Sequence, residues 1–188
     1  SDRMRNLDFD AEKVESERGV VFSERRSSVD NDNFGTLLEQ MQATAFVAHP
    51  YQIPIIGLPS DIEGWKVTDL QDYYRQYYAP NNAVMFIVGD VDPDAVFKLA
   101  DQYLASIPPQ PAPPAVTTKE PPQLGERRLR IERDAQTPLI AMAWHTAAAS
   151  AREARVMEVL LAILGDGDSS RLYQRLVNKH HQHRVDLG

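Results

Sequence analysis

Two glutamates, Glu17 and Glu24, stand seven residues apart in "ERGVVFSE". In an α-helix seven residues turn about 700°, so the two side chains emerge within about 20° of each other and about 10 Å apart along the axis. At that spacing one carboxylate could ligate a metal while the other sits in its outer shell. Zinc accepts carboxylate oxygen, but a zinc site needs three or four ligands, and His usually supplies some of them. The helix alone is therefore not a site. The plain alternative is a solvated helix face whose glutamates pair with Arg18, Arg25 or Arg26. Spacing alone favours the solvated face.

Other residues could do chemistry, and each has a plainer role. His180 and His183 in "HHQH" are one helical turn apart, a chelating spacing. No carboxylate or cysteine cluster accompanies them or His181, so they read as a basic, frayed end. "GDGDSSRL" lacks the further acidic positions and closing Glu of a calcium loop, and it is not a P-loop. It reads as a capped turn between helices, with Asp168 and Ser169 as cap residues. His49 in "HPYQIP" reads as a loop residue hydrogen-bonded to backbone. Trp144 and His145 fall in an expected strand, with Trp144 packed in the core.

The totals narrow the class. The chain has 188 residues, room for one domain or two small ones. Its 20 Lys+Arg and 27 Asp+Glu give a net charge of -7, which argues against non-specific nucleic-acid binding. No apolar run approaches the roughly 18 residues of a membrane span. With no cysteine there is no disulfide framework and no thiol nucleophile. An acidic, cysteine-free chain suits the bacterial periplasm or the cytoplasm.

The elements that would position these residues follow from periodicity and caps. Asp10 caps an expected helix over 11–29, and a second helix runs to about Ala48 with Phe34, Leu37, Leu38, Met41, Ala45 and Phe46 as its stripe. "HPYQIPIIGLPSDIEGW" is a loop by its prolines and glycines. Thr68 and Gln71 form a capping box for "DLQDYYRQYY", and Asp92 with Pro93 opens a helix to about Ser106. Ser150 caps "AREARVMEVLLAIL". "AVMFIVGD" (83–90), "RRLRIER" (127–133) and "PLIAMAWHT" (138–146) read as strands. Between them "PPQPAPPAVTTKEPPQ" holds seven of the 13 prolines and reads as an extended linker over 107–126. Helices and strands without strict alternation make an α+β fold.

The order of phrases adds a further clue. "ERGVVFSERRSSVDN", "ATAFVAHPYQIPIIGLPSDI", "TDLQDYYRQYYAPNNAVMFIVGDVDP" and "LLAILGDGDSSRLYQRL" follow one another at these intervals. This succession resembles the pitrilysin-type (M16) zinc metallopeptidases, including the mitochondrial processing peptidases, over nearly the whole chain. The resemblance implies half-domains in which a mixed, mainly antiparallel sheet carries helices on one face. Residues 1–106 would be the back part of the first, catalytic half, 107–126 the linker, and 127–188 the front part of the second, inactive half. Segments 127–133, 138–146 and 151–164 would then fill the place of the lost front part and form a sheet with strand 83–89, within one chain or by exchange between two chains, and the linker permits either.

In that family an HxxEH motif supplies two zinc-binding histidines and a glutamate general base. A glutamate downstream supplies the third protein ligand, and another seven residues before it supports the site. Carried over, Glu24 matches the distal zinc ligand and Glu17 the outer-shell support. Zinc lowers the pKa of a bound water and polarises the scissile carbonyl. No HxxEH occurs here, since the histidines are His49, His145, His180, His181 and His183. The resemblance thus implies a fragment, inactive and without zinc by itself, of a peptide-hydrolysing parent that carries zinc. The alternative is a non-catalytic partner or scaffold subunit. Either acts on or holds a peptide or protein substrate, in a homo- or hetero-oligomer with a second subunit of the same type. Members of the family often carry an Arg and a Tyr after the "RLYQRL" turn; here those places hold Val177 and Arg184, so no substrate-binding residue is assigned.

Overall fold

The computed structural model describes residues 2–178. The chain divides after Met142 into two compact units. The first contains helices α1 (Ala11–Arg25), α2 (Asn33–Ala45), α3 (Pro59–Gly64), α4 (Val67–Tyr77) and α5 (Pro93–Leu104). The second contains α6 (Arg152–Gly165) and α7 (Arg171–Tyr173), and α7 continues as a π-helical turn over Gln174–Asn178.

Local chemistry accounts for the helix ends. The Asp10 carboxylate accepts the Lys13 N–H at 2.9 Å and caps α1. After Arg25 the helix widens into a π-helical turn, Arg26–Asp30, where the Ser27 and Ser28 hydroxyls donate to the Glu24 carbonyl. Extra donors at that carbonyl compete with the regular ladder and loosen it. Asp32 caps α2 through the Gly35 N–H. Asp92 caps α5, with Pro93 in the first turn.

Gly35 permits the close approach of α2 to the π-helical turn. A Cβ built there would stand 1.9 Å from the Ser28 carbonyl oxygen, so no other residue fits without moving backbone. The Thr36 hydroxyl, one residue on, donates to the Val29 carbonyl at 2.6 Å. Ile62 of α3, fully buried, lies beneath the turn at Gly57, whose φ of 85° falls in the left-handed region open to glycine.

Several expectations change. Among the described residues there are no strands and no sheet, so the α+β assignment with a mainly antiparallel sheet is overturned. Val84, Phe86 and Val88 are 78%, 84% and 95% exposed, and no neighbouring segment pairs with them. A strand exists only through a ladder to a second segment, and an apolar run cannot supply that ladder alone. Segments 127–133 and 138–146 likewise form no ladder with each other or with 83–89, so the expected replacement sheet is not formed within the chain. Trp144 is 74% exposed instead of packed in a core, because the sheet that would have covered it is not formed.

Three caps also move. Helix α4 starts after Lys66, whose N–H donates to Asp69 Oδ2 at 2.9 Å, in place of the Thr68–Gln71 box. Ala151, not Ser150, precedes α6. Ser170, 3% exposed, caps α7 in place of Asp168 and Ser169.

The proline-rich segment is pinned to the first unit. The backbone of Gln110 exchanges two hydrogen bonds with the Asn81 side chain, at 2.9 and 3.0 Å. Further along, the Glu120 carboxylate accepts the consecutive N–H groups of Val47, Ala48 and His49 at 2.8–2.9 Å. Arg127 donates to the carbonyls of Thr44 and Ala45 at the end of α2. A cation on the last carbonyls and an anion on the next three amides satisfy the chain where the helix stops.

Candidate functional site

Glu17 and Glu24 both lie on α1 and both are exposed. Neither carboxylate takes part in a hydrogen bond or ion pair with a described residue. The arginines expected as their partners are engaged elsewhere or stand apart. Arg18 pairs with Glu15 at 2.9 Å. It also donates to the carbonyls of Ile62, of Glu63 at 2.9 Å and of Trp65 at 2.8 Å, and lies 5.8 Å from the Trp65 ring centre. Arg25, 4% exposed, holds Glu39 through two bonds of 2.9 and 3.0 Å and the Gly57 carbonyl at 2.9 Å. Its Nε lies 3.3 Å from Asp30 Oδ1 without hydrogen-bond geometry.

The electrostatics follow from these contacts. The hydrogen bond to Glu39 raises the Arg25 pKa above its ordinary value, burial lowers it, and the charges of Glu39 and Asp30 raise it further. Arg25 therefore stays a cation and is neutralised inside the structure. It does not neutralise the carboxylate beside it in sequence. Glu17 and Glu24 are left as free oxygen donors about two turns apart on a single helix.

The structure does not gather the remaining candidates with them. Among the described residues no three His, Cys, Asp and Glu side chains stand together as a metal site. His49 begins a short 3-10 turn, Pro50–Gln52, where its Nδ1 accepts the Tyr51 N–H at 3.2 Å. Its ring packs 4.4 Å from the Tyr51 ring and 5.7 Å from the Phe46 ring. His145 belongs to the second unit. His180, His181, His183 and Arg184 lie outside the described residues, and Val177 falls in the π-helical turn after α7. The Gly167 turn between α6 and α7 has a φ of 70°, and Gln174 closes it by donating to the Asp168 carbonyl at 2.6 Å. That is a helix-to-helix turn closed by hydrogen bonds among its own residues.

Sequence reasoning missed Glu39, Glu120 and Arg127. No local pattern marks them, because each partner is distant in sequence. Glu39 is 14 residues from Arg25, and Glu120 is 71–73 residues from the amides it accepts.

Residues 64–183 match the family model described as "Peptidase M16 inactive domain". The chain belongs to the M16 peptidase family. Among curated M16 relatives, the zinc protease PqqE of Helicobacter pylori is 32% identical over 95% of the chain and 41% of its own length. An uncharacterized zinc protease of Mycobacterium tuberculosis is 29% identical over 88% of the chain and 38% of its own length. The mitochondrial-processing peptidase subunit beta of Lentinula edodes is 26% identical over 98% of the chain and 40% of its own length. The crystal structure of a protease from Helicobacter pylori superposes with a TM-score of 0.83 at 31% identity, over 93% of the chain and 42% of that protein. The chain thus spans about two fifths of the length of these M16 proteins. No helix among its described residues is long and apolar enough to cross a membrane.

Proposed function

We propose that this chain is part of a zinc-dependent peptide hydrolase and contributes Glu24 as the third protein ligand of the metal, with Glu17 in the outer shell. The reading assigns 1–106 to the back of the catalytic half, 107–126 to the connection, and 127–188 to the front of the inactive half. The chain by itself would have neither stable zinc nor peptidase activity.

The observation that carries the proposal is the state of the two carboxylates. They are exposed, seven residues apart on one helix, and not paired with Arg18 or Arg25, which bond elsewhere. A metal fits this donor, since zinc takes a carboxylate oxygen that no cation already occupies. Bound zinc would supply an activated water and a polarised carbonyl. The work of this chain is to present the Glu24 oxygen and to place the Glu17 charge behind it. Two relatives named zinc proteases support the metal, and the pairing of Glu17 with Glu24 supports the roles.

The test is the zinc content of the intact protein, measured by elemental analysis after dialysis. Glu24→Gln should lose most of the metal, and retention would remove Glu24 from the ligand set. The second reading is a non-catalytic subunit. It is favoured by the match to a domain described as inactive and by a relative named as a subunit. An intact sequence without HxxEH upstream of Glu24 would select that reading.

A further inference from the structure

Arg18 and Arg25 repeat the spacing of Glu17 and Glu24, one residue later along the same helix. The two arginines therefore share one face of α1, about 100° around from the glutamates and about 10 Å apart along the axis. Both are fastened. Arg18 grips three carbonyls at the end of α3, and Arg25 grips Glu39 of α2 and the Gly57 carbonyl. Two anchors at different heights on one face fix both the tilt of a rod and its rotation about its own axis.

We propose that Arg18 and Arg25 are positioning residues that set the rotation of α1 and thereby aim Glu17 and Glu24. This rests on the zinc reading above. Geometry shows why rotation matters. Side-chain ends lie about 5–6 Å from a helix axis, so a turn of about 20° displaces them by roughly 2 Å. Metal–ligand distances hold within about 0.2 Å, which corresponds to only about 2° of rotation at that radius. Apolar packing along α1 would be a weak lock, because no apolar residue of the helix is fully buried. The planar, multiply bonded guanidinium supplies the missing constraint, and a lysine ammonium does not reproduce its fork.

The experiment uses the intact protein carrying Arg18→Lys, Arg25→Lys, or both, beside Glu24→Gln. Zinc affinity is measured by competition with a chelator. The visible absorption of the cobalt(II)-loaded protein reports ligand geometry. Far-UV circular dichroism and the denaturation midpoint report the fold. The double variant should bind zinc about 10–100-fold more weakly and show altered cobalt bands while retaining its helical signal. Lowered stability with wild-type zinc affinity and wild-type cobalt bands would overturn the proposal. If the Arg25 variants fail to fold, Arg18→Lys alone decides the matter through the same two measurements. Zinc retained in Glu24→Gln would overturn the zinc reading and this inference with it. Zinc lost there but unaffected by both arginine changes would overturn only the inference.

Discussion

The guanidinium of Arg25 and the carboxylate of Glu39 meet fork to fork, at 2.9 and 3.0 Å, and join α1 to α2 through the least exposed charged side chain described. Glu24, the residue before Arg25, is exposed, and its carboxylate bonds to no described residue. Adjacent positions on one helix thus serve opposite ends, one holding the fold and the other presented to solvent.

Removing one partner of a buried ion pair strands the other charge and costs about 3–5 kcal/mol. Glu39 keeps 13% of its side-chain surface exposed, which softens the penalty. Arg25→Met should therefore destabilise by about 3 kcal/mol in urea denaturation. Arg25→Met with Glu39→Leu should recover most of that loss, because no charge is then left uncompensated.

Gly35→Ala places a methyl group where the Ser28 carbonyl oxygen already lies. Backbone must shift, and overpacking of that kind costs about 1–3 kcal/mol. Gly19→Ala, at a position with open space around it, serves as the control and should stabilise by a few tenths to about 1 kcal/mol. Thermal denaturation of the two variants side by side checks the contrast.

Burial pushes the Glu120 carboxyl up, but the backbone N–H groups of His49, Val47 and Ala48 and the charge of Arg127 outweigh it and hold the pKa at about 2. Its ordinary value is 4.5, so the folded state favours the ionised form. The stabilisation is complete above about pH 4.5 and is lost as the pH falls through about 2. A carboxyl-carbon NMR titration should place the Glu120 midpoint near the lower value. Glu120→Gln should speed hydrogen exchange at the amides of residues 47–49 at neutral pH.

Glu17 takes no part in holding the fold, so Glu17→Gln should leave the stability within about 0.5 kcal/mol of the wild type. If it supports the metal from the outer shell, zinc affinity of the intact protein should fall about 10–100-fold. Unchanged affinity would return Glu17 to the solvated helix face.

The longer helices were legible in the sequence because their signals are local, whereas α3, Pro59–Gly64, lies inside the segment read as a loop, where prolines and glycines mask a six-residue helix. Asp10, Asp92 and Pro93 announce α1 and α5 within a few residues of the helix they start. The carboxylate pair was legible for the same reason. The strands were not, because "AVMFIVGD" states only that a segment is apolar, and a ladder depends on a second segment that the sequence does not name. Register errors of one or two residues arose at α7, where Asp168, Ser169 and Ser170 compete to cap one end, and at α4 and α6, whose first turns follow Lys66 and Ala151, residues that are not ordinary caps. The Glu120 and Arg127 contacts join residues more than 70 positions apart, and neither residue type nor spacing foretells them.

The fastening of Glu120 bears on how this gene is handled at the bench. A run of prolines looks like the natural seam for splitting the coding sequence into two expression pieces. Severing it between Gln110 and Glu120 would separate three amides and two helix-end carbonyls from the side chains that satisfy them, and severing it between Glu120 and Arg127 would still strip the two carbonyls. The seam that spares these bonds lies after Met142, where the compact unit ends.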